Sequence, residues 1–245
     1  MFLDVVDLRD FYDSRLGRVA WQMIAARLAD LWPDLKALRV MGVGYATPFL
    51  RPYLAAAERV AALMPAPQGV LAWPQEGPNR ACLTEEHELP LPDYSVDRVL
   101  LVHGLEFSEQ AQPLLKEIWR VLAVGGRLVV VVPNRRGLWA RFENTPFGHG
   151  SPYTTGQLNH LLREEGFTPE RATAALFVPP TNWRFILRTA RLWEKIGVRF
   201  MPAVGGVVLV EATKQIYAAK PAGERLKQRR RVLVPLGGTP SPAGP

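Results

Sequence analysis

This chain has little thiol chemistry: Cys82 is its one cysteine. That excludes an intrachain disulfide and any multi-cysteine zinc site, and nothing points to an oxidising compartment. Four histidines, spread along the chain without a metal-ligand spacing motif, are read as giving no metal centre. No apolar run reaches the roughly 18 residues of a membrane-spanning helix, and no charged stretch followed by an apolar one opens the chain. The expectation is a soluble, cytoplasmic protein without a transmembrane segment. Internal repeats are lacking, as is any linker-like stretch before residue 218. Residues 1–218 therefore read as one domain.

What is present suffices for a sizeable core, since 48% of the 245 residues are hydrophobic. The formal charge is +7, but its location matters more than its size. Lys220, Arg225, Lys227, Arg229, Arg230 and Arg231 face Glu224 alone, so the rest of the chain carries only +2. The basicity belongs to a terminal stretch, 219–245, that ends in VLVPLGGTPSPAGP and is too rich in Pro and Gly to fold by itself. It reads as a disordered tail. It suits nucleic acid, an acidic protein or a membrane surface as partner; with no aromatic residues interleaved among its arginines, a solvated extension is the favoured reading.

Along the chain, residues 3–31 carry apolar side chains at helical spacing, which predicts two helices broken near Gly17 and stopped by Pro33. LRVMGVGY (38–45) predicts a strand entering a glycine turn, FLRPYLAAA a helix, ERVAALMP (58–65) a strand and RACLTEE (80–86) another. Residues 66–80 read as irregular or as carrying one short strand. TTGQLNHLLREEGF (154–167) predicts a helix with a Thr cap and a closing glycine, RATAALFVPP a strand, 181–197 a helix and 205–218 a last strand. The twenty residues 134–153 form a long loop, a length usually reserved for function. Alternating strands and helices imply an α/β sheet with helices on both faces.

The segment Pro90–Pro133 is the most specific. Two short apolar runs, VDRVLLVH and RLVVVV, flank an amphipathic helix closed by Gly125-Gly126, a βαβ unit suited to a buried parallel sheet. Its side chains are Leu89, Pro90, Asp93, Asp97, His103, Leu105, Glu106, Leu115, Glu117, Arg120, Leu122, Gly125 and Gly126. That order resembles the fourth strand, following helix and fifth strand of the class I methyltransferases that use S-adenosylmethionine (SAM), in particular the methyltransferase type 11 group. The resemblance implies a Rossmann-like, mostly parallel sheet, with residues 1–33 as a helical lid and 134–153 as an active-site loop.

The resemblance also implies a cofactor site, and here the chain departs from the pattern. In the register of an acidic residue followed by Gly-x-Gly-x-Gly stand Gly42, Gly44, Tyr45, Ala46, Thr47 and Pro48. Gly42 takes the acid's place, and Ala46 and Pro48 replace two glycines. Met64 occupies the ribose-binding acid's position. Glu85, with Glu86 adjacent, falls where an acid near the adenine is expected, and His103 stands at the fourth-strand exit. Candidate general bases are His103, His149 and Tyr153, while Arg135, Arg136 and Arg141 suit an acidic group of the substrate. In 181–197, Arg184, Arg188, Arg191 and Lys195 accompany Phe185, Leu192, Trp193 and Ile196, a basic amphipathic pattern open to an anionic substrate, a membrane surface or an acidic protein partner. Three functions follow: a SAM-dependent methyltransferase acting on a small or medium acceptor, a catalytically inactive module that binds a protein, and a nucleic-acid methyltransferase anchored by the basic tail.

Overall fold

The computed structural model describes residues 3–215. The basic tail therefore lies outside the described residues. Seven strands form one sheet in the order β3-β2-β1-β4-β5-β7-β6. They are β1 (Arg39–Gly44), β2 (Arg59–Pro65), β3 (Ala81–Thr84), β4 (Val96–Val102), β5 (Leu122–Pro133), β6 (Phe167–Ala175) and β7 (Val207–Lys214). The first five are parallel, whereas β7 runs antiparallel to both β5 and β6. The expected mostly parallel α/β architecture is what the chain adopts.

Consecutive residues of the central strands feed different cores. Val40, Leu100, Val102, Val129 and Val131 join one buried cluster, whereas Met41, Val43, Val99, Leu101, Val130 and Val132 join the other. A strand buried on both faces must be apolar throughout, which is why these runs lack alternation. On the first face pack α1 (Val5–Asp13) and α2 (Arg15–Leu31), the latter through Leu16, Ala20, Met23, Ile24 and Leu28. On the second pack α4 (Ala111–Val121) and α5 (Thr155–Glu164). Thr154 and Gln157 cap α5 reciprocally, satisfying two otherwise orphaned backbone donors.

Five boundaries differ from the sequence-based expectation. The first two helices part at Ser14, not near Gly17: the Ser14 hydroxyl accepts from the Gly17 N–H at 3.0 Å and so caps α2. Gly17 lies inside α2, where a Cβ would stand 1.9 Å from the Phe11 carbonyl oxygen. The helix expected over FLRPYLAAA shrinks to α3 (Thr47–Leu50) and one 3-10 turn, Arg51–Tyr53. Gly125-Gly126 does not close α4, which stops at Val121; the pair lies in an excursion of β5. There Val96 pairs with Leu122 but Arg98 already pairs with Arg127, so residues 123–126 have no partners on β4. The helix expected over 181–197 is two, α6 (Arg184–Arg188) and α7 (Ala190–Phe200). The sixth strand also begins earlier than expected, at Phe167, with Pro169 tolerated because β6 is a sheet edge.

Several of the residues carrying the family resemblance knit the sheet's lower end. The Arg39 guanidinium grips Asp97 at 2.9 and 2.8 Å, tying β1 to β4. Arg120 on α4 donates to Glu117 at 2.8 Å, to Asp93 at 2.7 Å and to the Leu89 and Leu91 carbonyls, while Glu117 accepts from the Leu89 N–H at 2.9 Å. Hydrogen bonds from Arg39 and Arg120 hold the Asp97 and Glu117 carboxyls below their ordinary range. A depressed carboxyl pKa stabilises the fold above the unfolded value and loses that contribution as pH falls through the folded one. Urea stability is therefore expected to drop as pH falls below about 4, and Asp97→Asn is expected to flatten that acid limb while lowering stability at pH 7.

Candidate functional site

The strand order reverses between β1 and β4, and ligands of open α/β sheets bind beyond the carboxyl ends of strands at such a point. A cavity of ≈560 Å³ lies on the β1 side of that point, at the ends of β1 and β2. One wall is Tyr45, Thr47 and Pro48 from the turn after β1, with Arg51; another is Met64, Leu71, Ala72, Trp73 and Gln75 from β2 and the segment after it. The N-terminal helices supply the rest: Arg9, Tyr12, Asp13, Arg18 and Trp21. The volume suits a small organic ligand. Its charge is uneven, with three arginines against one carboxylate, Asp13.

The turn after β1 explains why its substitutions are tolerated. Gly44 has φ +74°, and a Cβ there would lie 2.3 Å from the Val102 carbonyl oxygen and 2.9 Å from that of His103. Glycine is required because β1 leaves the sheet in contact with the backbone of the β4 exit. A side chain at position 42 would meet Leu50 at 2.5 Å and Ala46 at 2.7 Å. The place of the missing acid is thus filled by apolar packing. Ala46 has φ −89° and needs no glycine, while Pro48 occupies the first turn of α3, where no N–H is wanted.

Behind the cavity lies a buried polar chain. The Tyr12 hydroxyl and His103 Nε2 stand 2.8 Å apart, and His103 Nδ1 is 3.1 Å from Glu106 Oε1. Gln68 Nε2 donates to the His103 carbonyl at 2.7 Å. His103 itself has φ +50°, an unfavourable region for a residue with a Cβ, and this network holds it there. Burial raises the Tyr12 hydroxyl well above its usual pKa and pushes Tyr45 up to about 12, so both are neutral donors at physiological pH. The rings of Tyr12 and Tyr45 stack at 5.8 Å, and Phe147 packs on His103 at 5.0 Å.

Of the residues singled out from the sequence, the cavity gathers Tyr45 and Met64, with Gly42, Gly44, Ala46 and His103 immediately behind its wall. Glu85 and Glu86 are elsewhere. With His87 and Glu109 they line a separate depression of ≈190 Å³, and Glu86 is tied to Ser108 at 2.6 Å. His149 is bound through Nε2 to the Glu143 carbonyl at 2.6 Å, within its own loop. Tyr153 is half-buried, and its backbone bridges to Asn134. Neither lines the cavity, nor do Arg135, Arg136 and Arg141. The long loop supplies Phe147 to the buried chain instead. Arg9, Asp13 and Arg18 escaped sequence reasoning because helical periodicity marks inward apolar positions and says nothing of which polar residues meet a distant strand end. No group of three metal-ligating side chains occurs among the described residues.

The fold is the Rossmann-like one of the class I SAM-dependent methyltransferases. Residues 40–130 match the family described as Methyltransferase domain. No curated protein sequence matches it significantly. Among solved structures it is similar to a SAM-dependent methyltransferase of Thermotoga maritima, with TM-score 0.60 and 20% identity over 86% of this chain and 96% of that one. It is similar also to a methyltransferase of Haloferax volcanii solved with the Trm112 activator, with TM-score 0.65 and 17% identity over 88% and 100%. A third, the 1,6-didemethyltoxoflavin-N1-methyltransferase of Burkholderia thailandensis with bound S-adenosylhomocysteine, gives TM-score 0.51 and 17% identity over 83% and 79%. At these identities the likeness is one of fold.

Proposed function

We propose that the chain binds SAM in the cavity beyond β1 and β2 and serves as a methyltransferase for a small or medium acceptor. The observation that carries this reading is the cavity's position beside the switch point together with its lining. SAM, when bound, supplies an electrophilic methyl group. This chain's part is to bind and orient, since methyl transfer depends mainly on positioning. Asp13 is the one carboxylate on the cavity wall and takes over from the acids absent at positions 42 and 64, accepting from hydroxyl or ammonium donors. Arg9, Arg18 and Arg51 suit the cofactor's carboxylate. Tyr45 and Trp73 offer aromatic faces to a base, and α1, which carries Arg9 and Asp13, is the lid. Tyr12 lines the cavity with its ring, and His103, 2.8 Å from its hydroxyl, holds that ring in place.

The filled acid position beside Gly42 and the apolar Met64 favour a second reading, a module that has kept the fold without the cofactor and works by binding a protein. Calorimetric titration with SAM and with S-adenosylhomocysteine separates the two. Micromolar binding that weakens about tenfold or more in Asp13→Asn, with thermal stability unchanged, is the expected result. Absence of heat and of any thermal shift at millimolar ligand would overturn the methyltransferase reading.

A further inference from the structure

The helix α7 is turned the wrong way for an ordinary surface helix. Its buried positions are small or polar: Ala190, Glu194 and Gly197. Its large apolar side chains point outward instead, with Leu192 57%, Trp193 41%, Ile196 43% and Phe200 73% exposed. Leu192, Ile196 and Phe200 recur every four residues, so they form one stripe. Arg191, Lys195 and Arg199 form a second, parallel stripe at the same spacing. The pattern continues before the helix, where Trp183 is 73% and Phe185 78% exposed beside Arg184 and Arg188. Glu194 is the one acid in 181–204, and it is buried, accepting from the Phe177 N–H at 3.1 Å and lying 3.8 Å from Arg27. Among the described residues, none of the five cations forms an ion pair.

We propose that segment 181–204 docks the protein onto an anionic lipid surface, with Trp183, Phe185, Leu192, Ile196 and Phe200 at the acyl boundary and the five cations among the headgroups. Charge complementarity selects this occupant. A second copy would bring its own five cations against these, and the chain's tail is itself basic over 220–231. A flat face of exposed aromatic and aliphatic side chains bordered by Arg and Lys is the pattern of interfacial helices. No helix among the described residues is long and apolar enough to cross a membrane, so the attachment is peripheral. Arg184 and Arg188 share a cavity of ≈530 Å³ with Arg15 and Arg18, and Arg18 also lines the cofactor-type cavity. The docked face therefore borders that cavity.

The test uses the full chain and vesicles of phosphatidylcholine with and without phosphatidylglycerol, and needs no cofactor, so its outcome is independent of the methyltransferase reading. Co-sedimentation is expected only with the anionic vesicles and is expected to fade at high salt. Of the seven tryptophans, Trp183 and Trp193 are the two exposed ones, so brominated lipid is expected to quench fluorescence in wild type and not in a Trp183→Tyr, Trp193→Tyr variant that still sediments. Phe185→Ser with Phe200→Ser, and separately Arg191→Gln with Lys195→Gln and Arg199→Gln, are each expected to lower partitioning about tenfold or more. Sedimentation without quenching would transfer the binding to the basic tail and overturn the proposal. Failure to sediment would overturn it too, with a concentration-dependent dimer then assigning the face to a second copy and binding to polyglutamate assigning it to an acidic protein.

Discussion

Gly44→Ala is expected to destabilise the fold by on the order of 4 kcal/mol, and to do so with no ligand present. Two costs combine: a left-handed backbone at φ +74°, about 1–3 kcal/mol for a residue with a Cβ, and overpacking, about 1–3 kcal/mol in a core that cannot give. The atoms a Cβ would strike are backbone carbonyls of Val102 and His103, not a flexible side-chain tip. Since β1 and β4 are central strands on which both cores rest, relief by separation would disturb both faces. Urea unfolding at pH 7 measures the cost. Gly44→Asp, which the sequence motif alone would assign to ligand approach, is expected to fail in the same way and at least as severely. A loss below about 1 kcal/mol would show that the β1 turn relaxes freely and would undo this account of the glycine.

Trp139→Ala is expected to cost about 3–5 kcal/mol and to release the 134–153 segment. This loop is packed rather than draped. Trp139 is fully buried, its indole N–H donates to the Val178 carbonyl at 2.7 Å, and its ring meets Phe147 edge-on at 5.5 Å. Phe147 in turn touches Phe11 on the first helix and His103. Truncation leaves a cavity, an unpaired Val178 carbonyl and a loosened support behind the Tyr12–His103–Glu106 chain. Hydrogen exchange is expected to quicken over 134–153 and in α1 while β4 and β5 stay protected. Unchanged exchange in α1 would show that Phe147 is not the link between loop and site.

Much of the fold was legible because its signals are local. VLLV and VVVV are apolar without alternation, which only a doubly covered strand requires, and Thr154 with Gln157 announces the α5 start within four residues. Helix ends were read less well where the deciding contact was particular. Ser14 caps α2 through one hydroxyl, and residues 123–126 are extruded by a register slip between neighbouring strands. The resemblance to class I methyltransferases was legible in Asp97, Glu117 and Arg120 because such residues brace the sheet. Those three said little about the site, since they lie at the end of the strands away from the cavity; of the same set, His103 and Glu106 stand behind its wall.

Sequence pattern determined the α/β class, the parallel core and the absence of the usual acids at positions 42 and 64, because periodicity and residue identity are properties of short stretches. Only the tertiary structure decided what surrounds those positions. It took the packing of α1 against the ends of β1 and β2 to put Arg9, Tyr12 and Asp13 on the cavity wall and to leave Glu85 and Glu86 off it. It also turned the apolar stripe of α7 outward, since Ala190, Glu194 and Gly197 claim the inward face: Glu194 binds the Phe177 N–H, and a Cβ at Gly197 would collide with the Phe177 ring at 2.1 Å. Helical spacing marks which residues share a face, but which face meets the protein depends on partners remote in the chain.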